Sequence, residues 1–473
     1  MTMFTLREAT ALIPGAVVVG DENVAFGRVS TDSRTVEAGD LFVAVKGDRF
    51  DAHDFLKQVA ERGTSAALVS RVPADVSLPV IKVKDTRAAL GALANGWRKR
   101  FTMPLVAVTG SNGKTTVKEM IASIFAAAVG VDARMATAGN FNNDIGLPLT
   151  LFRLNAQHRL AVVELGMNHP GETDALGKIA APTVAVVNNA QREHQEFMAT
   201  VEAVALEHAS VIHALGEAGT AVFPADDAYA SIWRVAATGN PIIDFALSGD
   251  ASKAAVTGRV DGTNVEIVTP QGALTVALRV LGEHNARNAL AATSAALAAG
   301  VSLDAIKRGL EAFEPVKGRL QVKRAAVESI EGATVIDDTY NSNPDSMRAA
   351  IDVLASQASP RVLVMGDMGE VGDQGPAFHR EVGAYAAERG IDALYALGDA
   401  SAASAKAFHS AASNKSAKHF TDVQELIAAL KRVGFGAGAT FLVKGSRFMQ
   451  MERVVDAVTS PHQPAPGTAP GAH

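Results

Sequence analysis

The segment "VAVTGSNGKTTVKEM", residues 106–120, constrains the fold of this chain more than any other. An apolar run leads into the spacing Gly110-x-x-Gly113, and Lys114 starts a helical pattern. In a strand–loop–helix unit of this kind, the loop N–H groups and the positive helix end converge where a phosphate is stabilised. The usual G-x-x-x-x-G-K-[ST] loop would need its first glycine at Val108. The sequence therefore predicts a shortened phosphate-binding loop in an α/β unit, with an unliganded glycine-rich turn as the alternative.

Each residue type in this loop suits a triphosphate. Glycines allow close backbone approach, Lys114 can neutralise charge on the β- and γ-phosphates, and Thr115 can bind Mg²⁺ through its hydroxyl. The predicted ATP-binding residues of the loop are Gly110, Ser111, Asn112, Gly113, Lys114, Thr115 and Thr116. The loop by itself predicts a nucleotide and leaves the reaction open.

Composition narrows the class of protein. A chain of 473 residues is too long for a single core, and its net charge of −6 gives no electrostatic reason to expect nucleic acid. The absence of cysteine excludes disulfides, thiolate metal sites and cysteine nucleophiles. No apolar run reaches the ~18 residues of a membrane span, and the N-terminus lacks the basic start of a secretory signal. We expect a soluble cytoplasmic protein without membrane insertion.

The pattern of strands and helices divides the chain into three α/β regions. Residues 1–101 alternate short apolar strands with helices and predict a small α/β domain. Residues 102–315 contain continuous apolar strands, which are typical of a parallel sheet covered on both faces. Residues 316–458 contain strands that end in Gly, Asp or Asn, as in a doubly wound domain with functional groups at the strand ends. The Pro/Gly/Ala-rich segment 459–473 is predicted to be disordered.

Polar residues at strand ends could complete a nucleotide site around Lys114. Glu164 closes one apolar run and His194 follows the next, so both are candidates for metal binding or catalysis. Each could instead be a solvated surface residue. Asn288, at an Ala-rich helix, could bind an adenine edge or simply lie on the helix face. Arg319, in the link to the third region, could reach a phosphate across a cleft.

The third region contains two more segments in which polar residues follow an apolar strand. "VIDDTYNSNP" places Asp338 and Asn341 at a strand end, where we expect them to face a ligand. Asn343 in the same segment is expected to cap the helix that follows. "VKGSR" places Lys444 and Ser446 before another helix.

The motifs together resemble the Mur ligase family, whose members make peptidoglycan precursors. The resemblance rests on "TGSNGKTT", "ELGMNHPGE", "NNAQREHQEF", "GEHNARNALAA", "DDTYNSNPDSM" and "VKGSR", and it extends from residue 30 to residue 455. It implies three domains: a small N-terminal α/β domain for the UDP end of a substrate, a central P-loop parallel-sheet ATPase domain, and a C-terminal Rossmann-like domain. "GNFNNDIGLPLTL" and "DDTYNSNPDSM" are most similar to the members that add D-alanyl-D-alanine to UDP-N-acetylmuramoyl-tripeptide.

The resemblance also implies a reaction. An ATP-dependent ligase of this kind converts the tripeptide carboxylate to an acyl phosphate, which the dipeptide amine attacks to give the pentapeptide, ADP and phosphate. ATP and Mg²⁺ are the implied cofactors, the partners are these small molecules, and a monomer is expected. The alternatives are a sibling Mur ligase, folylpolyglutamate synthetase and, less favoured, an NTP-driven switch protein.

Residue roles follow from the resemblance by position. Lys114, Glu164 and His194 would be catalytic, and Thr115, Glu164 and His194 would surround Mg²⁺. Further nucleotide contacts would come from Asn288, Arg319, Asp338 and Asn341. The implied substrate residues are Ser33, Arg34 and Lys46 for the uridine diphosphate, Asn140, Asn142 and Asn143 for the sugar-peptide, and Lys444 and Ser446 for the dipeptide.

One departure from the family pattern concerns the metal. Many relatives carry a lysine, modified by CO₂ to a carbamate, on the helix after the histidine-bearing loop. Here that helix reads "TVEAVALEHASVIHAL", and the chain has no lysine between Lys178 and Lys253. We hypothesise that Glu207 supplies the missing carboxylate, with His208 nearby; an exposed helix residue is the alternative.

Overall fold

The first region forms a mostly parallel sheet covered by helices. The computed structural model describes residues 2–47, 50–72, 74, 77–247 and 253–460. The elements of the first region are β1 (Phe4–Thr5), α1 (Leu6–Leu12), β2 (Val17–Val19), β3 (Ala25–Phe26), β4 (Arg28–Ser30), β5 (Asp40–Val43), a 3₁₀ turn (Ala52–Phe55), α2 (Leu56–Glu61), β6 (Ala66–Val69), β7 (Val80–Lys82) and α3 (Thr86–Arg98). Strands β4 to β7 are parallel in the order β7-β6-β5-β4, and β2 adds to β7 in the antiparallel sense.

The central region holds the predicted parallel sheet. Its first elements are β8 (Leu105–Thr109), α4 (Lys114–Val129), β9 (Arg134–Ala136), α5 (Gly146–Leu151), β10 (Leu160–Glu164), α6 (Glu172–Ala180), β11 (Val184–Val187), α7 (Gln195–Met198), α8 (Val201–His213), β12 (Thr220–Val222) and α9 (Ala230–Ala236). The strand order β12-β11-β8-β10-β9 is parallel throughout, and every residue of the central strand β8 is buried. The continuous apolar character of β8 is explained by this burial on both faces.

A second, four-stranded sheet in the central region was not predicted. It consists of β13 (Phe245–Leu247), β14 (Val256–Asp261), β15 (Asn264–Thr269) and β16 (Gly272–Ala277), and the helices α10 (Glu283–Ala298) and α11 (Leu303–Ala312) follow. In β15, buried and exposed residues alternate, so one face of this sheet is exposed to solvent. Helices α4, α10 and α11 share one core with the inner face of this sheet and with β8. Helix α11 packs so closely against α4 that a Cβ on Gly309 would lie 2.3 Å from the Ile124 Cα.

The C-terminal region is a doubly wound unit, as predicted. Its elements are β17 (Gln321–Arg324), a 3₁₀ turn (Glu328–Ile330), β18 (Thr334–Asp338), α12 (Pro344–Ala355), β19 (Arg361–Gly366), a second 3₁₀ turn (Gly372–Gln374), α13 (Gly375–Glu388), β20 (Ala393–Leu397), α14 (Ala402–Ala411), β21 (Ser416–Phe420), α15 (Val423–Leu430), β22 (Thr440–Lys444), a third 3₁₀ turn (Arg447–Met449) and α16 (Glu452–Thr459). The order is β17-β18-β22-β19-β20-β21, and only β17 is antiparallel to its neighbour. Strands β17 and β21 were not predicted because neither is an apolar run.

The last helix extends one residue past the predicted end of the C-terminal domain at residue 458. Thr459, predicted to start the disordered tail, is the last residue of α16, and residues 461–473 lie outside the described part of the chain. The second face of β8 shares a core with the N-terminal sheet, through Leu105 and Ala107 on one side and Leu41 and Val43 on the other. Within the described residues, no helix is both long and apolar enough to cross a bilayer.

Candidate active site

Strand ends from the central and C-terminal regions surround one large cavity of ≈ 1070 Å³. The carboxyl ends of β8, β10 and β11 supply one side, and those of β18 and β22 supply the other. The predicted site residues that line it are Ser111, Asn112, Gly113, Lys114, Thr115, Thr116, Asn142, Asn143, Glu164, His194, Asn288, Arg319, Asp338, Asn341 and Lys444. The fold therefore brings together most of the residues that the sequence analysis selected from distant segments.

The remaining predicted residues lie elsewhere. Gly110 does not line the cavity, and its carbonyl accepts a hydrogen bond from Lys114. The buried Ser446 hydroxyl donates to the Ser342 carbonyl at 2.9 Å and accepts from the Gly369 N–H at 2.8 Å. Both contacts are internal to the protein.

The predicted uridine diphosphate residues lie in the N-terminal region. Ser33 and Arg34 sit beside a smaller pocket of ≈ 310 Å³ that residues 30–32 and Thr35 help to line. The exposed Arg34 pairs with Asp32 at 2.7 Å. Lys46 and Asn140 are exposed and line neither pocket.

The backbone of the loop has the geometry of an anion site. Gly110 has φ 133° and Gly113 has φ 81°, a region that side chains other than glycine rarely adopt. A Cβ on Gly113 would also lie 2.5 Å from the Asn288 Oδ1, so close packing requires glycine there as well. None of the described side chains caps the start of α4, which leaves its first N–H groups available to a phosphate.

Lys114 folds back over its own loop. Its Nζ donates to the Gly110 and Ser111 carbonyls and lies 3.4 Å from the Glu193 Oε2. The side chain is 17 % exposed and borders the cavity. A phosphate in the cavity would therefore meet a cation that the protein holds nearby.

Glu193 is the acidic member of a buried series of hydrogen-bonded side chains that the sequence analysis missed. Its Oε1 lies 2.9 Å from the His208 Nε2, and the His208 Nδ1 lies 3.0 Å from the Thr109 Oγ1. Burial works against the charge of Glu193, but nearby Lys114 and the hydrogen bond with His208 outweigh burial and lower its pKa to about 2. Glu193 is therefore a buried carboxylate anion at the wall of the cavity.

Glu164 and Thr115 offer oxygen atoms that suit Mg²⁺. Glu164 is 3 % exposed; its Oε1 accepts a hydrogen bond from the Asn142 Nδ2 at 2.8 Å, while its buried Oε2 has no hydrogen-bond partner among the described residues. The Thr115 hydroxyl accepts a hydrogen bond from Arg319 at 2.8 Å. Mg²⁺ in nucleotide sites prefers one or two carboxylates together with phosphate and water, and an unpaired carboxylate oxygen fits that preference.

His194 borders the cavity but is engaged with another acid. It has a left-handed backbone, φ 47°, and its Nδ1 lies 2.6 Å from the Glu370 Oε2. This contact lowers the pKa of the Glu370 carboxyl. Metal binding by His194 stays a prediction.

The C-terminal region touches the phosphate loop directly. The Asn343 Nδ2 donates to the Asn112 Oδ1 at 2.9 Å, and Asn343 also caps α12 through Ser346, as predicted. The Arg319 guanidinium lies 4.2 Å from the centre of the Tyr340 ring.

Two strand ends of the C-terminal sheet are tied together beside the cavity. Lys444 pairs with Asp338 at 2.7 Å and donates to the Asn341 carbonyl at 2.8 Å. Positive and negative groups of the two strand ends thus hold each other in place at the cavity wall.

A salt-bridge cluster, also missed from sequence, joins the same two regions. Arg192 pairs with Asp345 at 2.5 Å and with Glu381 at 2.7 Å, and it lies 5.2 Å from the Phe378 ring centre. The three consecutive polar residues before Gln195 in "QREHQ" lie in the polar loop that follows the apolar strand β11, and this was the available signal for both Arg192 and Glu193.

The hypothesis that Glu207 serves the metal is not supported. Its two carboxylate oxygens accept hydrogen bonds from the N–H groups of Gly171 and Thr173, both at 2.8 Å. Glu207 therefore stabilises the start of α6. Adjacent residues of a helix point ~100° apart, and it is the neighbouring His208 that faces the loop.

Comparison with known proteins agrees with this architecture. Three family models match: "Mur ligase family, catalytic domain" at residues 26–98, "Mur ligase middle domain" at 108–296, and "Mur ligase, glutamate ligase domain" at 318–447. The chain is 39 % identical to the UDP-N-acetylmuramoyl-tripeptide--D-alanyl-D-alanine ligase of Haemophilus influenzae, over 94 % of this chain and 96 % of that protein. The chain belongs to the Mur ligase family.

Solved structures extend the likeness to three dimensions. A crystal structure of MurF from Acinetobacter baumannii superposes on this Mur ligase with a TM-score of 0.86 at 36 % identity, covering 96 % of this chain and 98 % of that one. MurF ligase from Thermotoga maritima, solved in complex with ADP, has a TM-score of 0.77 at 26 % identity and covers 91 % and 96 %. The three-domain Mur ligase architecture expected from the sequence is thereby confirmed.

Proposed function

We propose that this Mur ligase uses ATP to join D-alanyl-D-alanine to UDP-N-acetylmuramoyl-tripeptide. The observation that carries the proposal is a single cavity in which the phosphate loop of β8 and α4 faces the polar ends of β18 and β22. A nucleotide on the loop and an amine near the C-terminal sheet would then share one cavity. Full-length likeness to relatives named for this activity supports the choice of substrates.

The reaction follows from the chemistry of the substrates. A peptide carboxylate resists attack by an amine because it is negatively charged and has no good leaving group. Transfer of the γ-phosphoryl group of ATP forms a C–O–P bond to the carboxylate, breaks the β–γ bond and releases ADP. The dipeptide amine then attacks the acyl carbon, loses a proton, and phosphate leaves as the amide forms.

The protein mainly positions groups and neutralises charge in such a reaction. Lys114 and the free N–H groups of α4 would bind the β- and γ-phosphates. Thr115 and Glu164 would hold Mg²⁺, with His194 in the predicted set, and the bound metal would supply further neutralisation of phosphate charge. Asn288, Arg319, Asp338 and Asn341 are proposed to contact the rest of the nucleotide.

The substrate residues form the last part of the proposal. Ser33, Arg34 and Lys46 would bind the uridine diphosphate end, and the smaller pocket beside Ser33 supports that location. Asn142 and Asn143 line the large cavity and would face the sugar-peptide near Asn140. Lys444 would guide the dipeptide, whereas both hydrogen bonds of the Ser446 hydroxyl are internal, so we propose that it supports this wall.

Isotope tracing tests the proposal. The purified full chain is incubated with ATP, Mg²⁺, D-alanyl-D-alanine and UDP-N-acetylmuramoyl-tripeptide carrying ¹⁸O in its terminal carboxylate. We expect the pentapeptide product by mass spectrometry and one ¹⁸O in the released phosphate. Unlabelled phosphate would contradict the acyl phosphate.

Parallel reactions address the rival acceptors. UDP-N-acetylmuramoyl-dipeptide with a diamino acid tests a sibling Mur ligase, and a folate with glutamate tests folylpolyglutamate synthetase. Preference for either pair over the proposed substrates would contradict the assignment. The proposal includes a monomeric enzyme in the cytoplasm, where nucleotide-linked precursors and ATP are available; gel filtration checks the monomer.

A further inference from the structure

We propose that Glu193, oriented by His208, supplies a carboxylate oxygen to the Mg²⁺ of the bound nucleotide, directly or through a water molecule. In this proposal Glu193 gives up Lys114 and gains the metal when ATP binds, and His208 is a positioning residue. The inference rests on the proposed function only in that it requires a metal–nucleotide complex in the large cavity.

The contacts of Glu193 are the first support. The residue is 5 % exposed, lines the cavity, and has one oxygen fixed by His208. Its other oxygen has the 3.4 Å contact with Lys114. Glu193 thus has one oxygen held by His208, while the other has longer contacts, 3.4 Å to the Lys114 Nζ and 3.9 Å to the His194 Nε2.

The second support is the way the protein fixes the carboxylate. His208 is fully buried on α8, and its second nitrogen reaches the hydroxyl of Thr109, the last residue of β8. The same strand end continues into the phosphate loop. A carboxylate–histidine pair anchored in this way holds its orientation, as the hydrogen-bonded outer partners of metal ligands do.

Charge balance is the third support. A buried carboxylate is strongly unfavourable without a cation, and Lys114 is the cation beside Glu193 in the structure. A phosphate-loop lysine is expected to move onto the β- and γ-phosphates of a bound nucleotide. Glu193 would then lose its cation and face a triphosphate anion. A divalent cation shared with that triphosphate restores the balance.

The local composition agrees with this assignment. Within the described residues, no three acidic or histidine side chains already enclose a common metal point. Mg²⁺ does not need such a cage because phosphate and water provide much of its coordination. Helix α8 has no lysine to carry a carbamate, and Glu207 is bound to the start of α6. Glu193 is the buried acid of this segment that reaches the cavity.

The test measures metal binding rather than turnover. Mn²⁺ is titrated into the full chain with a non-hydrolysable ATP analogue, and free Mn²⁺ is followed by electron paramagnetic resonance. Glu193→Gln keeps the shape of the side chain and is expected to weaken Mn²⁺ binding by about 10–100-fold. His208→Gln should weaken it less, and Glu193→Asp should restore part of the loss. Glu207→Gln, on the same helix as His208, is the matched control and should stay within about twofold of the parent chain.

A second measurement separates the proposal from a merely structural role. Affinity for the analogue without metal should be unchanged or higher in Glu193→Gln, because Lys114 is released. Unchanged Mn²⁺ affinity in folded Glu193→Gln would overturn the proposal, as would an equal loss of metal-free affinity. If Glu193→Gln does not fold, the Glu193→Asp and His208→Gln titrations decide by the same criterion. Ligation is assayed separately in the parent chain, so absence of product would contradict the proposed function without affecting the Mn²⁺ result.

Discussion

Arg192 is predicted to hold the central and C-terminal regions in the arrangement described. It comes from the loop after β11, whereas its partners Asp345 and Glu381 lie on α12 and α13. The side chain is 22 % exposed, so solvent screens these pairs only in part. Arg192→Ala removes both pairs and leaves Asp345 without its cation.

The magnitude follows from the two carboxylates. A partly buried pair of this kind contributes about 1–1.5 kcal/mol, between an exposed ion pair and a buried charged hydrogen bond. In the variant, Glu381 keeps its ion pair with Arg348 at 3.2 Å. The loss of Arg192 therefore costs less free energy at Glu381 than at Asp345. We therefore expect Arg192→Ala to cost about 2 kcal/mol, which corresponds to a ~30-fold shift toward arrangements in which the two regions separate.

Amide hydrogen exchange measures this opening. The Glu196 N–H donates to the Glu370 carbonyl across the same junction at 3.3 Å and becomes free only when the contact breaks. Exchange of a peptide covering residues 193–198 should accelerate ~30-fold in Arg192→Ala when opening governs exchange. Arg389→Ala is the control, since Arg389 pairs with Asp352 inside the C-terminal region. Unchanged exchange in folded Arg192→Ala would refute the reasoning.

Two further predictions concern the chemistry of the site. Lys114→Ala removes the cation beside the developing phosphate charge and should lower the rate of pentapeptide formation by ~10²–10³-fold, measured by product mass spectrometry; near-normal ligation would contradict the role of the loop. Because α8 carries no lysine, removal of bicarbonate and CO₂ should leave the ligation rate unchanged, and a rate that recovers on adding bicarbonate would show that a carbamate forms elsewhere in the site.

The parts of the fold that were predictable are those with strong local signals. The strand–loop–helix unit at Gly110 and Lys114 combines an apolar strand, two glycines with positive φ and a helix start, and each signal is local. The strands β14 to β16 were missed because their short alternating pattern is weak beside the continuous apolar runs of a parallel sheet. Local periodicity thus identified the buried sheets and passed over the half-exposed one.

The site was predictable where function requires a recognisable residue at a strand end, as for Glu164 and Asp338. Glu193 and Arg192 could not be assigned in the same way, because their roles depend on partners far along the chain, Lys114 and His208 for one and Asp345 and Glu381 for the other. The choice of Glu207 failed for the same reason. Its sequence position next to His208 gave no sign that the two side chains leave the helix in different directions.

The phosphate loop makes several of its contacts with other parts of the protein. Asn112 is bonded to Asn343, Thr115 to Arg319, and Lys114 lies against Glu193. A ligand that binds these side chains must therefore compete with their internal partners. A complete nucleotide can replace several of these partners at once. Two of these partners, Asn343 and Arg319, belong to the C-terminal region or its link. Binding of a nucleotide to the loop therefore changes contacts of the C-terminal region directly.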